Sequence, residues 1–178
     1  HNAMAEPIEF QILGPIGVTR GGNAVDLGGP KQRAVLAMLV INANRPITSD
    51  QLIDTVWADR PPPSALATLQ AYISNLRRAI EPGPPVKGRH QLLQKNGSGY
   101  QLSVDPEAVD AQRFERLLDD AGQMIGASPS KAAERISAAL SLWRGPPLAD
   151  FRYADFAQVE ITRLEELRAS AMELRIEA

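Results

Sequence analysis

The spacing of apolar residues changes along this chain, and each change predicts an element. From Ile8 to Ile16 (IEFQILGPI) apolar positions alternate loosely, and after Gly21-Gly22-Asn23 a short run, Ala24-Val-Asp-Leu27, ends at Gly28-Gly29. Short antiparallel strands joined by a glycine turn fit this pattern. Gly28-Gly29-Pro30-Lys31 hints at a phosphate loop but lacks Walker spacing, so Pro30 is better placed at a first helical position, where a missing N–H costs nothing. Lys31 to about Ala43 is apolar over most of a helical circumference and should lie deep in a core. Thr48-Ser-Asp-Gln51 forms a capping box, with Ile47 and Leu52 placed as a hydrophobic staple. It opens a helix from about 49 to 58, carrying Leu52, Ile53, Val56 and Trp57, that stops near Asp59 before three prolines.

The stretch Ser64–Ile80 sits between two proline clusters. Leu66, Leu69, Ile73, Leu76 and Ile80 make one apolar stripe on a helical wheel, and Ser64, Thr68, Ala71, Asn75 and Arg78 make the opposite face. That face is small, neutral and rich in hydrogen-bonding groups, whereas a solvated face more often carries Glu and Lys pairs. Such side chains suit a helix that approaches base edges. Two helices joined by a proline-bearing turn are a helix-turn-helix. Leu92-Leu-Gln-Lys95 and Tyr100-Gln-Leu-Ser-Val104 flank Asn96-Gly-Ser-Gly99, where Asn-Gly signals a hairpin. A hairpin directly after a helix-turn-helix is a wing.

Beyond Asp105-Pro106 the chain becomes acidic and helical. Asp110 is placed to cap a helix with Phe114, Leu117, Leu118, Ala121 and Ile125; Ser128-Pro129 starts a second with Ala132, Ile136, Ala139, Leu140 and Trp143 on one face. A third runs from about Ala154 to the terminus with Phe156, Val159, Leu164, Leu167 and Leu174. The expected fold is mainly α with small β: a winged helix over 5–104, then a tetratricopeptide-like helical domain over 105–178, with 1–4 an expression scar. About one and a half helix pairs and no stop signal at Ala178 suggest a longer native chain; otherwise the open apolar edge has to be covered, for example by a second copy.

Composition narrows the function. A net charge of −2 hides ten Lys/Arg against seven Asp/Glu in 1–104, and nine against fourteen in 105–178; between 60 and 100 six cations face Glu81 alone. Clustered cations around the candidate helix are what phosphate attraction needs. There is no cysteine, which removes disulfides and thiolate chemistry and fits a reducing cytoplasm, and no apolar run long enough for a membrane span. His90 stands without an acidic orienter, Gly97-Ser98-Gly99 lacks the flanks of a nucleophile elbow, and no metal-ligand cluster or cofactor motif appears, so catalysis is not expected.

Thr68, Ala71, Tyr72 and Asn75 are the base-edge candidates, since Asn pairs with adenine while Ala and the Thr methyl suit a thymine methyl. Ser64 opens the same face, and Arg78 is placed for phosphate or guanine. Tyr72 borders the apolar stripe and has packing as an equal alternative. Arg77 lies nearer the buried side, expected to anchor the wing through a salt bridge or to grip a phosphate. Lys95 and Ser98 are hairpin candidates for backbone or minor-groove contact, and Lys31 and Arg33 candidates at a helix N-terminus. Tyr100, Trp57 and Trp143 are expected in the core.

The segment from LGGPKQRAVLAML through TLQAYISNLRRAIEPG to NGSGYQL closely resembles the actinobacterial antibiotic regulatory protein family, and VDAQRFERLL, SLWRGPPLADF and LEELRASAMEL resemble that family's bacterial transcriptional activation domain. The resemblance covers residues 8–178. It implies an OmpR-type winged helix reading tandem repeats in double-stranded DNA, and a helical activation domain that helps form a homodimer and engages RNA polymerase. Phe156 departs from the usual tryptophan, and the recognition face is more sparsely charged than in many relatives, so base preference does not transfer. The expected protein is a cytoplasmic transcriptional activator. The alternatives are an interaction scaffold that has lost DNA binding and the output half of a phosphorylation-controlled regulator.

Overall fold

The computed structural model describes residues 6–58 and 60–177. The scar at 1–4, the helix stop at Asp59 and the terminal Ala178 lie outside the described residues. No helix among the described residues is long and apolar enough to cross a membrane. The chain forms two compact units: Gly17–Asp105 with the residues up to Phe10, and Gln11–Ile16 with Pro106–Ala178.

The first unit is a winged helix with an added sheet. Strands β1 (Ile8–Gln11), β2 (Gly17–Arg20) and β3 (Asn23–Ala24) lie in that order. β2 and β3 pair antiparallel, Thr19 opposite Ala24, around Gly21 and Gly22, whose positive φ of 56° and 84° suits glycine in a tight turn. Helix α1 (Pro30–Ile41) buries seven consecutive residues, Ala34 to Val40, as an all-apolar circumference requires. Past its end Asn44, at φ 67°, donates to the Val104 carbonyl and accepts from the Val104 amide, both at 2.9 Å, tying α1 to the residues beyond the wing.

Strand β4 (Ile47–Thr48) was not foreseen as a strand. It leads into α2 (Ser49–Trp57), where the capping box forms as expected: Gln51 N–H donates to the Thr48 hydroxyl at 3.1 Å and Thr48 N–H to the Gln51 side-chain oxygen at 3.0 Å. Helix α3 (Ala65–Ile80) follows, then β5 (Leu93–Asn96) and β6 (Gly99–Leu102), which with β4 form a sheet in the order β4-β6-β5. The hairpin turn is Gly97-Ser98, because Asn96 pairs with Gly99. Glycine comes first and only Gly97 has positive φ, the pattern of a type II′ turn, so the Asn96-Gly97 signal locates the turn one residue early.

The α3 stripe needs one correction. Leu69, Ile73, Leu76 and Ile80 are buried, each worth about 1.5–3 kcal/mol over exposure, but Leu66 is 52% exposed and Ala65 takes its place inward. Trp57 and Trp143 are half-buried rather than fully enclosed.

The second unit holds α4 (Asp110–Met124), α5 (Pro129–Leu140) and α6 (Gln158–Glu177). α4 and α5 form a packed pair whose contacts include the small residues Ala121, Ala132 and Ala139, all fully buried, around Phe114 and Ile136. Phe114 meets the Trp143 ring edge-on at 5.4 Å, although Trp143 lies past the end of α5 rather than on its face. α6 starts later than 154, after a short 3-10 turn at Asp155–Ala157, and its Val159 is 82% exposed instead of joining the stripe.

Residues 11–16 belong to this unit, though the sequence pattern attaches them to the first. Arg144 N–H donates to Leu13 O at 2.8 Å and Leu148 N–H to Ile12 O at 3.0 Å. In return Ile12 and Leu13 N–H donate to the two carboxylate oxygens of Asp110 at 2.9 and 3.0 Å. Asp110 is therefore not the cap expected of it. It is the first residue of α4, 2% exposed, and its carboxylate accepts from the distant Ile12 and Leu13 amides as well as from the Ala111 amide of its own helix.

Candidate nucleic-acid interface

With its stripe turned inward, α3 exposes Leu66, Ala67, Gln70, Ala71, Ser74, Asn75 and Arg78. Ala71, Asn75 and Arg78 thus stand where sequence reasoning puts them, and Ser64 is exposed at the helix start. Thr68 and Tyr72 fall on the border, half-buried. Tyr72 stacks on Trp57, ring centroids 6.1 Å apart and planes 10° from parallel, so its ring holds α2 against α3. Gln70 and Ser74 join the face because Ala65 rather than Leu66 turns inward; they are the polar positions the wheel overlooked. Gln70 carries the same adenine-reading amide as Asn75.

Side chains bolt the wing to the last turn of α3. Arg77 Nε donates to the Leu93 carbonyl of β5 at 2.9 Å, and its guanidinium lies 5.8 Å from the Tyr100 ring centroid. Burial lowers the Arg77 pKa from its ordinary value, opposed by the Tyr100 and Glu81 charges. The expected anchor is thus made, through a backbone carbonyl rather than a salt bridge. Glu81 supplies the complement: its carboxylate accepts from Leu92 N–H at 3.1 Å, Leu93 N–H at 3.4 Å and Gln91 N–H. The one acidic residue in the cationic stretch therefore sets where β5 begins. Arg20 closes the helix from the other side, donating to Ala79 O at 3.3 Å and to Ile80 O, a cation at the negative end of the helix dipole. Replacing Glu81 with alanine should cost about 2 kcal/mol, since charge-assisted bonds to backbone amides are lost. A urea melt checks it, and amide exchange at Leu92 and Leu93 should accelerate with it.

Cations line the cleft this bracing leaves. A groove of about 580 Å³ opens where Arg77 of α3, the loop residues Gly88, Arg89, His90 and Gln91, and Gln94 and Lys95 of β5 meet. Lys95 is exposed, its Nζ 5.4 Å from the Tyr100 ring, and Tyr100 is buried at 5% exposure. Ser98 sits exposed at the hairpin tip, its carbonyl accepting from Ser49 N–H at 3.0 Å. Lys31 is exposed and Arg33 half-buried in the first turn of α1. Gln32 between them reaches α3: Asn75 Nδ2 donates to its Oε1 at 3.0 Å, and Arg78 donates in turn to Asn75 Oδ1. No sequence signal pointed to Gln32, because the pairing spans 43 residues.

Comparison with known proteins gives the same two parts. Residues 22–102 match the family model for the C-terminal domain of transcriptional regulatory proteins, and residues 109–178 the bacterial transcriptional activator domain. The chain is 40% identical over 174 residues to the transcriptional regulatory protein EmbR of Mycobacterium tuberculosis, covering 96% of this chain and 44% of EmbR. It is 31% identical over 171 residues to the transcriptional regulator RedD of Streptomyces coelicolor, covering 96% of this chain and 49% of RedD. The regulatory protein DnrI of Streptomyces peucetius is 33% identical over 177 residues, with 96% of this chain and 64% of DnrI covered. A solved structure of M. tuberculosis EmbR with a low-affinity phosphopeptide superposes with a TM-score of 0.87 at 38% identity, over 96% of this chain and 45% of that one. The chain thus spans between 44% and 64% of the length of these relatives. With the two family models in tandem over a winged helix and a helical unit, the chain belongs to the actinobacterial antibiotic regulatory protein family, whose members are transcriptional regulators and not enzymes.

Proposed function

We propose that this protein is a sequence-specific DNA-binding transcriptional activator that places α3 in a major groove and its wing on the adjacent phosphate backbone. One observation carries the reading: α3 turns Leu69, Ile73, Leu76 and Ile80 inward and, Leu66 apart, presents small and amide side chains with Arg78 outward, while Arg77, Arg89 and Lys95 line a groove at its C-terminal end. Asn75 and Gln70 read base edges, Ala71 and the Thr68 methyl meet thymine methyls, and Arg78, Lys95, Ser98 and Lys31 contact phosphates. Arg77 holds the wing in place, and Tyr72 supports the helix from behind. Two subunits occupy tandem sites roughly 10–11 bp apart, and the helical unit engages RNA polymerase. The description of that unit's family as a transcriptional activator domain supports the last step.

A salt titration tests the reading. With three cations on phosphates, Arg78, Lys95 and Lys31, affinity for random duplex DNA should fall about fortyfold between about 50 and 200 mM salt. Salt-independent or absent binding overturns it. Lys95→Ala should weaken preferred and scrambled duplexes alike and reduce the salt slope by about one. Asn75→Ala should instead cost about 1–3 kcal/mol on the preferred duplex and far less on the scrambled one. Equal losses on both would remove Asn75 from base readout.

A further inference from the structure

Three side chains form a hydrogen-bond chain whose direction is set at both ends, by a carbonyl that only accepts and a guanidinium that only donates. Gln32 Nε2 donates to the backbone carbonyl of Leu27 at 3.0 Å. A carbonyl only accepts, so the Gln32 amide has one orientation available, with Oε1 turned toward α3. Asn75 must then offer Nδ2 to Gln32, at 3.0 Å, which leaves its Oδ1 to accept from Arg78. With Gln32 removed, the exposed Arg78 guanidinium, which only donates, is what still holds Oδ1, and once it swings away the Asn75 amide can rotate by half a turn and exchange its donor and acceptor edges. That exchange matters for a residue meant to read adenine, which presents a donor and an acceptor in fixed order.

Backbone geometry leaves room for this arrangement. Gly28 has φ 82°, and a Cβ there would lie 2.5 Å from Gln32 Nε2, so a side chain at 28 would push the Gln32 amide off the Leu27 carbonyl. Gly28 is itself held by its N–H donating to Asp26 at 2.9 Å. The turn before α1 is thereby built around the Gln32 side chain.

We infer that Gln32 is a positioning residue for DNA recognition: from the first turn of α1 it helps fix the orientation of the Asn75 amide, and so sets base preference without touching a base. The inference rests on the DNA-reading role of α3 proposed above. Its consequence is specificity encoded outside the recognition helix, so relatives with the same α3 face and a different residue at this position should prefer different bases.

The test uses the full chain with Gln32→Ala and Gln32→Met, each alone and combined with Asn75→Ala; methionine keeps the length and removes both hydrogen-bonding edges. Affinities are measured on the duplex selected from a random pool and on single base-pair variants of it. Both Gln32 variants should lose about fivefold in discrimination at the base pair where Asn75→Ala also loses it. Binding to random duplex and its salt slope should stay unchanged. In the Asn75→Ala background either substitution should add less than about twofold. A uniform loss on every duplex, unchanged discrimination, or losses that multiply in the double variants overturns the inference.

A DNA-free measurement separates its failure from that of the DNA reading. In the wild type one Asn75 side-chain amide proton should exchange slowly and the other fast, and in Gln32→Met both should be fast. Two fast protons in the wild type overturn the inference even if DNA binds. A salt-independent or absent DNA interaction with one slow proton overturns the DNA reading, and the recognition role of Gln32 with it.

Discussion

Replacing Gly99 with alanine should detach the wing from the start of α2 and lower the melting temperature of the winged-helix unit by at least about 10 °C. A Cβ at this position would lie 1.8 Å from the Ile47 carbonyl oxygen and 2.6 Å from Ile47 C and Thr48 Cα. All three are backbone atoms, so no rotamer change relieves the overlap, and β4 has to leave β6. β4 is two residues long, with Ile47 opposite Tyr100 and Thr48 opposite Gly99, so it has no second pairing to hold it. Its displacement also pulls on Thr48, the N-cap of α2, and on the Ser49 amide bonded to Ser98. Overpacking of this kind costs about 3 kcal/mol or more. Thermal unfolding measures the loss, and Ser49 amide exchange locates it, with amides of α5 as internal reference. A melting temperature within about 2 °C of wild type would show that β4 does not brace the wing. DNA affinity should fall with it, because Ser98 lies in the turn that this pairing holds and Lys95 in the strand leading to it.

What the sequence made legible follows the range of the interactions. The helices, the capping box and the hairpin are set by neighbours within a few residues, and periodicity reads them well. The recognition stripe came out nearly right for the same reason; the error at Leu66 arises because a wheel weighs hydrophobicity alone, while the residue at the start of α3 that meets the core is Ala65. Side chains whose partner lies far along the chain were misread or missed. Asp110 has every local mark of a helix cap, yet its partners lie 97 and 98 residues away. Glu81, met in the sequence only as the one acid among six cations, is a clamp for β5, and Gln32, which carries no local signal, meets Asn75. Long-range polar contacts leave no period behind, so the supports of the candidate interface were hidden while its face was visible. The division of the chain shows this most plainly, because residues 11–16 look like strand and are held by backbone amides and by the Asp110 and Asp150 carboxylates of the helical unit.

Asp110 carries the largest predicted effect in that unit. Alanine there leaves the Ile12 and Leu13 amides without an acceptor, at about 1–3 kcal/mol each, offset in part by relief from burying a carboxylate. A net loss of about 3 kcal/mol is expected, with faster exchange at both amides. Asparagine keeps a single acceptor oxygen and turns its NH2 toward the other amide, so about half the loss should remain. The two variants differ further in what they reveal about pH. Burial raises the Asp110 pKa above the ordinary 3.8, outweighing the hydrogen bonds from Ile12, Leu13 and Ala111 and the charge of Arg144, which lower it. The folded form therefore keeps its proton at pH values where the unfolded chain has lost it, and stability falls as pH rises. The fall begins near the unfolded value of 3.8 and ends above the raised folded one; beyond that window Asp110 contributes no slope. A wild-type chain should thus lose stability across weakly acidic pH, and Asp110→Asn, which has no proton to release, should lack that component. Equal pH slopes for the two proteins would mean that Asp110 is ionised in the folded chain as readily as in the unfolded one, and that its bonds to residues 12 and 13 offset its burial in full.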